Sequence, residues 1–256
     1  MSSAAPTQRF SNRVADYIRA RPGYPDALLG ELSARFGLQR TSVIADVGSG
    51  TGLLATLFLE HGNPVFGVEP NREMREAGES LLARYSDFTS VGAAAEATSL
   101  PDASVDFVTA GQAFHWFDRP RARNEFARIL KPGGRVVLVW NDRRLDTTDF
   151  LRGYEDLLVR RCPEYLKVVH RNVDEAVLTA FFAPCPYAAI TLENVQVFDW
   201  ETLVARHDSQ SYVPAAGPER DSILADLRAL FDATAENGRV RFEYDTRAFV
   251  GTLRGA

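Results

Sequence analysis

Between residues 43 and 140 the chain alternates short apolar runs with longer segments of helical periodicity. Val43–Val47, Val65–Val68, Thr89–Val91, Val105–Ala110 and Arg135–Trp140 read as five strands. Leu53–Glu60, Arg72–Arg84 and Arg121–Leu130 read as helices between them, with a turn at Lys131-Pro132-Gly133-Gly134. Strands in strict alternation with helices predict an α/β fold, a doubly wound and mostly parallel sheet with helices on its faces. Upstream, residues 11–36 carry helical patterning around the interruption Arg21-Pro22-Gly23-Tyr24-Pro25.

After Asn141 the pattern changes. Helical stretches at 150–162 and 173–182 precede a β-rich run, Ala188–Trp200. A further helical block at 219–235 leads through Glu236-Asn237-Gly238 to the strand Val240–Tyr244. These residues predict two more strands, seven in all, with helical cap insertions after strand five and between the last two strands. The expected organisation is one structural domain in three regions. Residues 1–40 form an N-terminal helical lid, 41–141 the core, and 142–256 the cap insertions with the last strands.

The first strand carries the strongest chemical signal. It ends in Asp46, and Gly48, Gly50 and Gly52 follow at every second position. Glycines there permit torsions that other residues resist and bring main-chain amides close to a ligand at a helix N-terminus. The dinucleotide pattern G-x-G-x-x-G would need a small residue at position 53, which is Leu. A phosphate loop would need a Gly-Lys-Ser/Thr ending, and no Lys is near. In an open parallel sheet, ligands sit beyond the carboxyl ends of the strands. Glu69, Glu96, Gln112, His115, Trp140 and Asn141 all fall at such ends. Glu69 ends strand two, 21 residues after Gly48, where a carboxylate can accept both hydroxyls of a ribose. The competing role for Glu69 is an acid interacting with the dipole of the following helix.

Composition narrows the partners. Hydrophobic content of 45% and charged content of 25% suit a globular core in a chain of 256 residues. A net charge of −5 without a long basic run argues against nucleic acid. No apolar run approaches membrane-spanning length, and the first eight residues lack the apolar centre of a signal peptide. Cys162 and Cys185 lack partners at metal-ligand spacing and are expected to be reduced and structural. The expectation is a cytoplasmic protein, monomer or homodimer.

The segments VIADVGSGTG, VFGVEPN, AEATSLPDASVDFV, GQAFHWFD and ILKPGG, in that order, resemble the successive motifs of class I S-adenosylmethionine-dependent methyltransferases of small-molecule type. Gln112-Ala113-Phe114-His115-Trp116-Phe117 and Tyr17-x-x-x-Arg21-Pro22-x-Tyr24-Pro25 are similar to the group that includes trans-aconitate methyltransferase-like enzymes. The resemblance implies a Rossmann-like sheet, S-adenosyl-L-methionine as donor, S-adenosyl-L-homocysteine as product, and no metal. It implies that Asp46, Gly48, Ser49, Gly50 and Gly52 hold the methionine part and Glu69 the ribose. Pro70 and Met74 would surround the adenine. Relatives with Gly-Asp-Ala-Glu after strand three have an Asp where this chain has Ala94, so adenine falls to the backbone at Ala95 or to Glu96. Gln112 stands where the transferred methyl points, and Tyr17 and Arg21 would fold over the cofactor.

His115 has two readings: a base taking the proton of a hydroxyl acceptor, or an imidazole packed between Phe114 and Trp116. A carboxylate acceptor would need no base, and His115 would then orient it. His115, Trp116, Trp140, Asn141, Arg144 and Tyr212 are the candidates for the acceptor wall. The leading function is methyl transfer to a small molecule, at the oxygen of a carboxylate or hydroxyl. The alternatives are transfer to nitrogen or carbon, and a non-catalytic S-adenosylmethionine-binding scaffold or regulator.

Overall fold

The structure is a computed structural model that describes residues 21–169, 174–210, 212–214 and 216–254. Seven strands form one sheet in the order β3-β2-β1-β4-β5-β7-β6. They are β1 (Ile44–Val47), β2 (Val65–Val68), β3 (Phe88–Val91), β4 (Val105–Gly111), β5 (Leu130–Arg143), β6 (Tyr187–Phe198) and β7 (Val240–Gly251). The pairings β2/β3, β1/β2, β1/β4 and β4/β5 are all parallel. The helices are α1 (Ala27–Phe36), α2 (Leu53–His61), α3 (Arg72–Leu82), α4 (Arg119–Ile129), α5 (Asp149–Arg161), α6 (Pro163–Val169), α7 (Glu175–Phe182), α8 (Trp200–Asp208) and α9 (Pro218–Thr234). The order reverses at β1/β4, as in a doubly wound Rossmann-like sheet, with helices between β5 and β6 and between β6 and β7.

The described residues fold as two compact units. The core unit holds 23–141, 174–192 and 246–254, and the second unit holds 21–22, 142–169 and most of 193–245. In the core unit, alternate strand residues feed two apolar clusters. Ala45, Val47, Val108 and Leu138 pack with Phe126 of α4 and Phe181 of α7. Ile44, Val65, Phe107 and Val137 pack with Leu28 and Leu32 of α1 and Phe58 of α2. Every residue of β1 is buried, as a central parallel strand requires. The second unit has its own cluster, built on Phe150, Tyr154, Leu158, Leu203, Leu227 and Phe242.

Three elements depart from the sequence expectation. The Lys-Pro-Gly-Gly turn is absorbed into β5 as an irregularity, where Val105 pairs Leu130 but Phe107 already pairs Arg135. Gly133, at φ 77°, makes that irregularity possible. Strand β7 runs on past Tyr244 to Gly251 with every second residue buried, a period-two signal that its polar positions Asp245, Thr246 and Arg247 conceal. Helix α8 was not anticipated, although Asp199 caps it by accepting from the Thr202 amide.

Candidate active site

The carboxyl ends of β1, β2 and β4 bring the predicted residues of the core unit together around the glycine turn. Gly48, Gly50 and Gly52 all have positive φ, at 69°, 56° and 86°. A Cβ at Gly48 would stand 2.5 Å from the Ala113 Cβ, so the turn and the segment after β4 approach backbone to backbone only because residue 48 has no side chain. The Gly48 and Ser49 amides donate to the Val68 carbonyl at 2.8 and 3.2 Å, fastening the turn to β2. Met74 of α3 brings its methyl against the other side, 3.4 Å from where a Gly50 Cβ would lie. Helix α2 starts at Gly52 with no capping side chain, whereas Asn71, Asp118 and Thr148 cap α3, α4 and α5. The first-turn amides of α2 are therefore open to an external acceptor.

Two buried acids flank this turn. Glu69, 8% exposed, accepts from the Gly50 amide through Oε2 at 2.9 Å and from the Asn71 amide through Oε1 at 2.8 Å. Each carboxylate oxygen has a second lone-pair direction, so both can take a further donor while the backbone keeps the group in place. Asp46 at the end of β1 is 1% exposed. Its Oδ1 accepts from the Thr109 hydroxyl at 2.9 Å, and its Oδ2 is buried without a hydrogen-bond partner. Burial pushes the Asp46 carboxyl up to about 7; the Thr109 hydroxyl and the Ala55 amide act against that, and the Glu69 charge adds to it.

The loop after β3 is fixed by a different set of contacts. An isolated antiparallel bridge joins Ala94 and Ala97, with Ala95 buried between them. Thr98 donates both its amide and its hydroxyl to Glu125 Oε1, at 2.7 and 2.6 Å. Arg128 binds the same carboxylate and, with the Thr98 donors, holds it down near 2. Glu96 accepts from the Asp118 amide at 2.7 Å, tying this loop to the start of α4. Pro70 is exposed beside Glu69.

At the end of β4, Gln112 has φ 56°, a left-handed conformation rare for a residue with a side chain. Its amide donates to the Val139 carbonyl and its side chain to the Asn141 carbonyl, at 2.9 and 3.2 Å. Phe114–Trp116 then form one 3₁₀ turn. Phe114 is fully buried, His115 is half-buried, and Trp116 is 70% exposed with its ring centroid 4.8 Å from that of His115. Trp140 is a core side chain, edge-on to Phe114 and Phe249. Asn141 donates to the Gly23 carbonyl at 3.1 Å and accepts from Thr246.

Tyr24 is a site residue that the pattern of the sequence did not single out. Its hydroxyl occupies the space where Gly111, the last residue of β4, would carry a Cβ. The small residue at the end of β4, opposite a tyrosine flanked by Gly23 and Pro25, was the available signal. Tyr17 lies outside the described residues. Arg21, Arg144 and Tyr212 belong to the second unit. There Arg21 donates to the Ser209 carbonyl at 3.2 Å, and Tyr212 packs against Tyr165. Arg144 is ion-paired with Asp245 at 2.7 Å and with Glu193 at 3.3 Å. Among the described residues no group of three or more His, Cys, Asp or Glu side chains is placed to hold a metal ion. No described helix is long and apolar enough to cross a membrane.

Comparison with known proteins agrees with this geometry. Residues 45–138 match a family described as a methyltransferase domain, a span that contains the glycine turn, Glu69 and His115. An uncharacterized methyltransferase-like protein of Schizosaccharomyces pombe is 33% identical over 161 residues, 62% of this chain and 61% of that one. An uncharacterized methyltransferase of Mycobacterium tuberculosis is 41% identical over 138 residues, 52% of each chain. The chain thus spans about half to three fifths of the length of these curated relatives. A proposed type II methyltransferase of Anaeromyxobacter dehalogenans shares the fold at 24% identity, with a TM-score of 0.67 over 92% of this chain and 99% of that one. Sequence and fold together support a class I S-adenosylmethionine-dependent methyltransferase domain built on residues 45–138.

Proposed function

We propose that this chain transfers a methyl group from S-adenosylmethionine to an oxygen of a small-molecule acceptor. The observation that carries the reading is the buried Glu69 carboxylate, pinned by two backbone amides beside an uncapped glycine turn. Two hydroxyls on adjacent carbons fit its two remaining lone-pair directions. A structural acid would be satisfied by the amides alone and would not need the positive-φ turn next to it.

Asp46 fits the same donor. A buried carboxylate oxygen without a partner is costly unless a donor reaches it, and the ammonium of a methionine moiety is such a donor. Ser49 and the α2 amides would face the carboxylate end of that moiety, and Met74 would lie along the adenine with Ala95 and Glu96 near its edge. When bound, the donor supplies an electrophilic methyl on a sulfonium sulfur. Transfer then depends on aligning an acceptor lone pair behind that carbon, so orientation supplies much of the rate. Gln112, strained at the end of β4, aims its own backbone and the 3₁₀ turn, and His115 in that turn removes the proton of a hydroxyl acceptor.

The test is a screen of hydroxylated, phenolic, carboxylic and amine acceptors for release of S-adenosylhomocysteine, on wild type and His115→Ala. The account expects turnover on an oxygen acceptor and a fall of about a hundredfold or more in kcat for the variant, with donor affinity within twofold. Donor binding without turnover on any acceptor would replace the enzyme by a binding module. Unchanged turnover in His115→Ala would reduce that residue to packing.

A further inference from the structure

The second unit holds two arginines where a protein rarely leaves them. Arg143, at the end of β5, sits 5.2 Å from the centre of the Tyr154 ring, and Arg206 of α8 sits 5.9 Å from that of Phe242. The two rings are themselves 5.1 Å apart, so both guanidinium groups lie on one aromatic cage, closed by Phe150 and Tyr244. Tyr212 feels both cations, and Arg21 adds to the positive potential there.

The acids nearby do not balance them. Glu155 pairs with Arg143 Nη2 and also accepts from the Tyr165 hydroxyl at 2.7 Å. Asp208 is taken by Arg220, and Asp245 and Glu193 by Arg144. Arg206 is only 8% exposed, yet its Nε and Nη1 are buried without hydrogen-bond partners, as is Nη1 of Arg143. Burying a cation without a counter-charge is unfavourable by several kcal/mol, so such a pair is retained only if an anion compensates it. Nε and Nη1 of one guanidinium are two donors in a planar fork that matches the two oxygens of a carboxylate. The surrounding Phe150, Tyr154 and Phe242 rings suit an organic body better than a hydrated inorganic ion.

We propose that Arg206 and Arg143 bind the carboxylate of a small organic acid, which is the methyl acceptor. That the acid is the acceptor rests on the methyltransferase reading above; that the cluster binds it does not. A carboxylate gripped by guanidinium N–H groups has its lone pairs engaged and is a poor nucleophile. The clamped group is therefore an anchor, and the methylated oxygen is a second group of the same molecule. This narrows the acceptor to a hydroxy acid or a polyacid.

Calorimetric titration of the full chain with benzoate and succinate, each with and without saturating S-adenosylhomocysteine, tests the proposal. Benzyl alcohol serves as the neutral control and inorganic phosphate as the inorganic one. At least one acid should bind, benzyl alcohol should not, and Arg206→Met should weaken the acid at least tenfold with S-adenosylhomocysteine affinity within twofold. Arg206→Met should also melt no lower than wild type in buffer free of organic acids, because it removes an uncompensated buried charge; a purely structural arginine would lower the melting temperature. Arg206→Lys keeps the charge without the fork and should bind the acid severalfold more weakly. No acid binding to wild type, phosphate binding tighter than either acid, or full acid affinity in Arg206→Lys would each overturn the proposal. Acid binding without S-adenosylhomocysteine binding would sink the methyltransferase reading and leave the anion site standing.

Discussion

The two units bury charge of opposite sign, and they stabilise it by different means. In the core unit the buried ionic groups at the glycine turn are acids, Asp46 and Glu69, held by backbone amides and a threonine hydroxyl. In the second unit they are arginines, Arg143 and Arg206, packed on aromatic faces with one acid between them. Fixed acids with spare lone pairs suit a ligand rich in hydroxyl and ammonium donors. Guanidinium forks in an aromatic setting suit an organic carboxylate. The difference assigns donor and acceptor to separate units by electrostatics alone.

Proton linkage gives the sharpest way to break that contrast. Asp46 titrates near 7 in the folded chain against an ordinary 3.8, so the native state holds its proton more tightly than the unfolded one. Its favourable contribution is complete below 3.8 and is lost as pH rises through 7, an effect on the order of 4 kcal/mol. Asp46→Asn should therefore be more stable than wild type at pH 8 and flatten this slope, read by denaturant unfolding across pH 4–8. An Asn variant less stable than wild type at pH 8 would show that the buried carboxylate is compensated after all.

His207 supplies the opposite slope. It is fully buried in α8 near the Tyr154 hydroxyl, and burial lowers it from 6.5 to about 4, with Arg220 and Arg206 reinforcing and Asp208 opposing. The native state thus binds this proton less tightly. Its contribution is complete above 6.5 and is lost as pH falls through 4, an effect on the order of 3 kcal/mol. The two slopes cancel in part between pH 4 and 6.5, so only single variants separate them. His207→Gln should leave a chain whose stability declines monotonically from pH 4 to 7; an unchanged profile would remove His207 from the account.

Much of the core was legible because each signal there was local. A β-branched run, an acid and three alternate glycines need no long-range information, and Glu69 follows at the next strand end. Even so, the pattern gave Glu69 one role where the structure gives it two, since its oxygens also hold the Gly50 and Asn71 amides. Glu96 was read as an adenine contact, and the structure engages it on the Asp118 amide. The second unit was hardly legible. Arg143, Arg206, Tyr154 and Phe242 come from β5, α8, α5 and β7, and only tertiary packing makes them neighbours. Arg144, singled out in their place, is spent on Asp245 and Glu193, and nothing in the sequence distinguishes it from Arg143.

The smallest expected effect bears on the central claim, that the core unit binds S-adenosylmethionine through Glu69. Calorimetric titration of S-adenosylhomocysteine into wild type and Glu69→Ala, with NADH in parallel, measures it directly. The account predicts one site per chain, no heat with NADH, and a loss of about 1.5–3 kcal/mol in the variant, roughly ten- to a hundredfold in Kd. Binding of NADH, or equal affinity of Glu69→Ala and wild type for S-adenosylhomocysteine, would contradict it.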